Sequence, residues 1–161
     1  MEKITLLAKK LHNDLMLQPE LKHLTLKQGE VFGWDHTACA ITYAPHAPDT
    51  EAYFLHECGH ALLGHCGHPH DVELISMERA AWDKAHELGA QYGVTIDAAL
   101  IESSLDTYRD WLHARSLCPL CSATGVQTAT HGYRCLACAH EWRSNDARTC
   151  SLRRYRIKKR P

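Results

Sequence analysis

Two pairs of cysteines, Cys118-Pro119-Leu120-Cys121 and Cys135-Leu136-Ala137-Cys138, stand thirteen residues apart and constrain the end of this chain more than any other feature. Two C-x2-C knuckles at such a separation supply the four thiolates of a closed tetrahedral metal site. A segment of roughly 30 residues cannot bury enough apolar surface to fold alone, so the metal must supply most of the folding free energy. The spacing predicts a zinc ribbon, and the insert VQTATHGYR (126–134) predicts its hairpin, with Gly132 available for the turn. A bound Zn2+ held by Cys118, Cys121, Cys135 and Cys138 is expected to be structural, because no coordination position is left for water.

Composition supports metal ligation over cross-linking. The 161 residues include 8 Cys and 13 His, with 45% apolar and 23% charged residues, the balance of a globular chain. No apolar run approaches the roughly 18 residues needed to span a bilayer, and the start MEKITLLAKKLHNDL lacks a signal-peptide core. The expectation is a cytoplasmic protein with no membrane partner, in which thiols stay reduced and serve metals. Cys39, Cys58, Cys66 and Cys150 are read as single thiols.

The net charge of −1 conceals a division. Residues 1–117 hold 9 Lys+Arg against 17 Asp+Glu, whereas residues 118–161 hold 9 against 2. That asymmetry predicts modules with different partners. Arg134, Arg143, Arg148, Arg153, Arg154, Arg156, Lys158, Lys159 and Arg160, with Tyr133, Trp142 and Tyr155 between them, suit phosphate contact with base stacking on DNA or RNA. The alternatives are that Trp142 packs the small core and that the last residues are a solvated run.

Upstream, Ile4, Leu7, Ala8, Leu11 and Leu15 recur at helical spacing and predict an opening amphipathic helix that ends near Pro19. Residues 21–44, including ACAITYA (38–44), predict two or three strands. Asp49 or Thr50 can cap a helix over 50–64, a second helix follows over 72–92, and Thr95 or Asp97 starts a third. This third helix has the stripe Ile101, Leu105, Tyr108 and Leu112.

The helix over 50–64 contains His56-Glu57-Cys58-Gly59-His60. An i, i+4 pair of histidines lies on one helical face, where both imidazoles can bind one Zn2+, and Glu57 at its flank can take a proton from water activated there. A catalytic zinc needs a third protein ligand. Glu78, inside the apolar stretch Met77 to Trp82, is the choice, since an acid there is costly to bury unless it is paired or coordinating. Glu73, His65, His68 and His70 remain alternatives, Glu73 being read as a solvated first-turn acid and the loop histidines as surface polar groups.

HECGHALLGH (56–65) followed by ERAAW (78–82) resembles the ImmA/IrrE family of zinc metallopeptidases. The resemblance implies a compact α+β zincin fold, His56, His60 and Glu78 as ligands of a catalytic zinc, and Glu57 as general base. It also implies a protein substrate, often a transcriptional regulator. Ala80 departs from the pattern, where many relatives have an acid. An H-E-x-x-H helix ahead of a four-cysteine ribbon is similar, secondly, to the SprT-like family of DNA-associated metalloproteases, in which a downstream His is the third ligand. The expected organisation is a metallopeptidase domain over 1–116, a zinc ribbon over 117–152 and a basic tail over 153–161. The competing class is a non-catalytic binding module that keeps both metal sites as scaffolds.

Overall fold

A computed structural model of the chain describes residues 2–68, 70–145 and 151–157. Among these described residues it is an α+β structure of four α-helices and two small sheets. The chain divides into two compact units: residues 1–67 with 76–101, and residues 68–75 with 102–161. Among the described residues no helix is long and apolar enough to cross a membrane.

The first unit opens with α1 (Glu2–Leu15), whose Ile4, Leu7, Ala8, Leu11 and Leu15 are all buried, as their spacing requires of one face. A single turn of tighter helix, Pro19–Leu21, leads to β1 (Thr25–Gln28), β2 (Gly33–Asp35) and β3 (Ala40–Tyr43). β3 is the centre of this sheet, parallel to β1 and antiparallel to β2. Its Ala40, Ile41 and Tyr43 are buried, and the Tyr43 ring meets Phe54 of the next helix with centroids 5.1 Å apart. The apolar run read at 38–44 is therefore the middle strand.

Helix α2 (Thr50–Leu62) starts differently from expectation. Neither Asp49 nor Thr50 caps it through a side chain. Asp49 takes a left-handed φ of 52°, while the Thr50 hydroxyl donates to the Ala44 carbonyl at 2.7 Å, tying the helix start to the end of β3. Residues 54–61 of α2 are buried without a break, polar groups included. Helix α3 (Asp71–Tyr92) contributes Ala81, Trp82, Ala85 and Leu88 to the same core.

In the second unit, residues 102–116 of helix α4 (Ala98–Ser116) accompany a four-stranded antiparallel sheet in the order β4 (Gly125–Ala129), β5 (Gly132–Cys135), β6 (Glu141–Ser144), β7 (Arg154–Arg156). The α4 N-terminus is capped as expected: Asp97 Oδ1 accepts from the Ala99 N–H at 2.9 Å. Helical residues ahead of 117 belong with this sheet because Arg115, 1% exposed, is locked into it. Its Nε donates to Ser144 Oγ at 3.0 Å, its guanidinium lies over the Tyr133 ring, and its carbonyl accepts from Trp142 Nε1 at 3.1 Å. A buried cation is tolerable only with such partners.

Three expectations change here. The β4–β5 turn is Thr130–His131, and His131 takes the positive φ of 62° that Gly132 was expected to take. Tyr133 and Trp142 are 1% and 0% exposed and form the core with Cys118 and Cys135, so of the three interspersed aromatics Tyr155 alone is available to a nucleic-acid base. Residues 154–156 of the basic stretch are an edge strand paired with β6. Arg148, Cys150, Lys158, Lys159 and Arg160 lie outside the described residues.

Candidate metal centres

In the first unit the α2 histidines and an α3 carboxylate converge. His56 Nε2 lies 3.1 Å from His60 Nε2 and 3.1 Å from Glu78 Oε2, and His60 Nε2 lies 3.5 Å from that same oxygen. One helical turn separates the two imidazoles, so the α-helix alone brings them to one side. Glu78 reaches them because α3 passes unusually close to α2. At Gly59 a methyl group would fall 2.5 Å from the Ala81 carbonyl oxygen, so glycine permits the approach.

These three atoms fit a metal. Tetrahedral coordination at about 2.0–2.1 Å separates ligand atoms by about 3.3 Å, close to the observed edges. The donor set of two imidazole nitrogens and one carboxylate oxygen is that of a zinc site with an open position. All three residues are buried, so without a cation only hydrogens shared among these atoms could satisfy them. Burial pushes the Glu78 carboxyl up, but the hydrogen bonds and charges of His56 and His60 outweigh it and hold the group well below the usual carboxylate range. Glu78 is thus an anion in place.

Surrounding groups fix this arrangement. Trp82, one turn beyond Glu78 on the same face of α3, stacks on His56 with centroids 4.3 Å apart and planes 28° from parallel. Glu57, between the histidines in sequence and about 60° around the α2 axis from His60, is 9% exposed. Burial, with the neighbouring Glu57 charge, pushes the Cys58 thiol up, so Cys58 stays a neutral core group rather than a competing thiolate ligand.

Of the alternatives read for the third ligand, Glu73 pairs with His70 at 3.4 Å, and neither they nor His68 joins the convergent set. His65 stands one step behind it, its Nδ1 2.8 Å from His60 Nδ1. Burial first, and then the charge of a protonated His60, lower the His65 pKa. The sequence reading missed Trp82 and Gly59. A tryptophan four residues after a buried acid is the signal for the first. A glycine inside an otherwise sealed helix is the signal for the second.

In the second unit the four cysteines converge as well. Cys118 and Cys138 sulfurs are 3.6 Å apart, and Cys121 lies 3.5 Å from both Cys135 and Cys138. Tetrahedral thiolate coordination at about 2.3 Å gives edges of about 3.8 Å, close to these values. The two knuckles are built alike: the Ser122 N–H bonds the Cys118 carbonyl at 2.9 Å, and the Ala139 N–H bonds the Cys135 carbonyl at 3.0 Å. Both Ser122 and Ala139 take positive φ, 61° and 59°. Backbone N–H groups aimed at sulfur, those of Cys138 and Ala137, lower the Cys135 thiol to about 7, toward the ligating thiolate. The set can hold one metal with all four tetrahedral positions filled.

The outer sheet face presents Arg134, Arg143 and Tyr155, with Arg143 directly opposite Tyr155 in the β6–β7 register and Arg134 directly opposite Glu141 in the β5–β6 register. Leu120 and Leu136, at the knuckle tips, are 70% and 74% exposed.

No family model, curated protein or solved structure matches this chain.

Proposed function

We propose that the chain is a zinc-dependent metallopeptidase of the ImmA/IrrE type that hydrolyses a peptide bond in a protein substrate. The observation that carries this is the convergence of His56 Nε2, His60 Nε2 and Glu78 Oε2 within 3.5 Å, with Glu57 in the intervening helical position. The carboxylate in the third place supports this family over the SprT-like one, whose third ligand is a histidine. Zinc bound there would polarise a substrate carbonyl and bring the pKa of water to about 7.

The chain's own residues do the rest. His56, His60 and Glu78 hold the cation, and Trp82 and the α2–α3 contact keep them oriented. Glu57 takes the proton of the attacking water and returns it to the leaving amine, the role of a general base turned acid. A site meant solely as a scaffold has no use for that carboxylate beside an open position, which counts against a non-catalytic module.

The C-terminal unit, a zinc ribbon in this reading, is the docking module. Its Arg134, Arg143 and Tyr155 form an exposed basic and aromatic face that favours DNA or RNA, or a protein bound to it. The setting is the cytoplasm, where thiolates are available as ligands.

The test compares wild type with Glu57→Gln and Glu78→Gln, each incubated with a peptide library from digested cell protein and read for new N-termini by mass spectrometry. Wild type should carry two zinc ions and cut; Glu57→Gln should carry two and not cut; Glu78→Gln should carry one and not cut. Cleavage by Glu57→Gln at the wild-type rate sinks the proposed base, and a wild type with zinc in the thiolate cluster alone sinks the enzyme. For the ribbon, titration with single- and double-stranded DNA should show affinity falling as salt rises; affinity indifferent to salt excludes phosphate contact.

A further inference from the structure

Helix α2 ends in a way that places a chemical group behind its metal-facing histidine. Gly64 takes a left-handed φ of 64°, its N–H reaches the Ala61 carbonyl at 3.1 Å, and the N–H of His65 reaches the His60 carbonyl at 3.1 Å. This is a Schellman terminator, which folds the residue two beyond the cap back over the last turn. An apolar pair normally meets there. Here the pair is His65 and His60, with Nδ1 atoms 2.8 Å apart and ring planes at 69°. The loop is tied down from outside, since Trp34 Nε1 donates to the His65 carbonyl at 2.9 Å.

Two imidazole nitrogens at that distance share one hydrogen, so one donates and the other accepts. His60 Nε2 faces His56 and Glu78 and can ligate only through a bare lone pair. The hydrogen of a neutral His60 is then on Nδ1, and His65 Nδ1 must accept it, leaving the His65 hydrogen on Nε2. We infer that His65 is a positioning residue: it holds His60 in the ligating tautomer and fixes its ring plane. The acceptor behind a metal-bound histidine is usually a carboxylate, a backbone carbonyl or water. An uncharged imidazole does the same without adding a second anion to a site that already contains Glu78. The inference rests on the metal reading above and assigns His65 a place outside the ligand set.

The test uses the full chain and inorganic Zn2+, with affinity measured by competition against a chromophoric chelator. The zinc equivalent that Glu78→Gln loses should bind about 10- to 100-fold more weakly in His65→Ala, the range typical for a lost partner of a ligating histidine. His65→Asn, whose side-chain oxygen can accept in place of Nδ1, should recover most of that loss. Long-range proton–nitrogen spectra of zinc-loaded wild type should show His60 protonated on Nδ1 and His65 on Nε2. Unchanged affinity in His65→Ala, no recovery in His65→Asn, or a His65 nitrogen itself ligating would overturn the assignment. A wild type that never takes up the second equivalent would instead overturn the metal reading beneath it.

Discussion

Gly59 of α2 lies against Ala81 of α3 so closely that a single added methyl would meet the Ala81 carbonyl oxygen at 2.5 Å. Gly59 immediately precedes His60, and Ala81 is less than one turn beyond Glu78, so this approach sets the reach between ligands on two helices. The atom in the way is backbone, which cannot swing aside as a side chain would. Gly59→Ala should therefore push α3 outward, cost about 1–3 kcal/mol as overpacking does, and open the 3.1–3.5 Å ligand edges. Urea unfolding and elemental analysis check it: the midpoint should fall and zinc should drop from two ions to one, the thiolate site keeping its own. An unchanged midpoint and count would mean that α3 moves freely and does not set the ligand spacing.

How much of this was legible in the sequence depended on whether a feature is local. His56 and His60 could be placed together because helical periodicity alone does so, and Glu78 because an acid among Met77, Ala81 and Trp82 needs a reason. The four cysteines were legible from spacing. What lay beyond local rules was missed. His65 stood among several loop histidines until the left-handed turn at Gly64 directed it onto His60. Tyr133 stood among the binding aromatics, yet it joins Trp142, for which core packing was the stated alternative, in filling an interior that has few other residues. Gly132 was the natural turn residue, but the register of β4 with β5 put His131 at the left-handed position instead.

The paired cysteine knuckles give a prediction of opposite sign from most core changes. Ala139 takes a φ of 59°, a conformation costing about 1–2 kcal/mol for a residue with a Cβ. Glycine removes that strain, while its freer unfolded chain gives back about 0.4–1 kcal/mol. Ala139→Gly should thus stabilise the zinc-loaded protein by up to about 1 kcal/mol, and Ala139→Val, branched at Cβ, should destabilise it. Thermal melts at saturating zinc check both. A lower melting temperature for Ala139→Gly would show that the knuckle does not hold its positive φ in solution.

The Tyr92 hydroxyl donates to Asp14 Oδ2 at 2.5 Å, joining the end of α3 to α1, while Lys10 lies over the Tyr92 ring. Burial first, and then the bond to the Asp14 carboxylate, raise the Tyr92 pKa to about 12 from an ordinary value near 10. The neutral phenol is the form that the fold favours. Its contribution to stability is fully present below about pH 10 and is lost as pH rises through about 12, where the folded group ionises. Because the hydroxyl is partly exposed, the effect is modest. Tyr92→Phe should be slightly less stable than wild type at pH 8, with the difference shrinking between pH 10 and 12. Urea unfolding across that range checks it; a difference that stayed constant to pH 12 would mean that the Tyr92–Asp14 bond adds nothing to the fold.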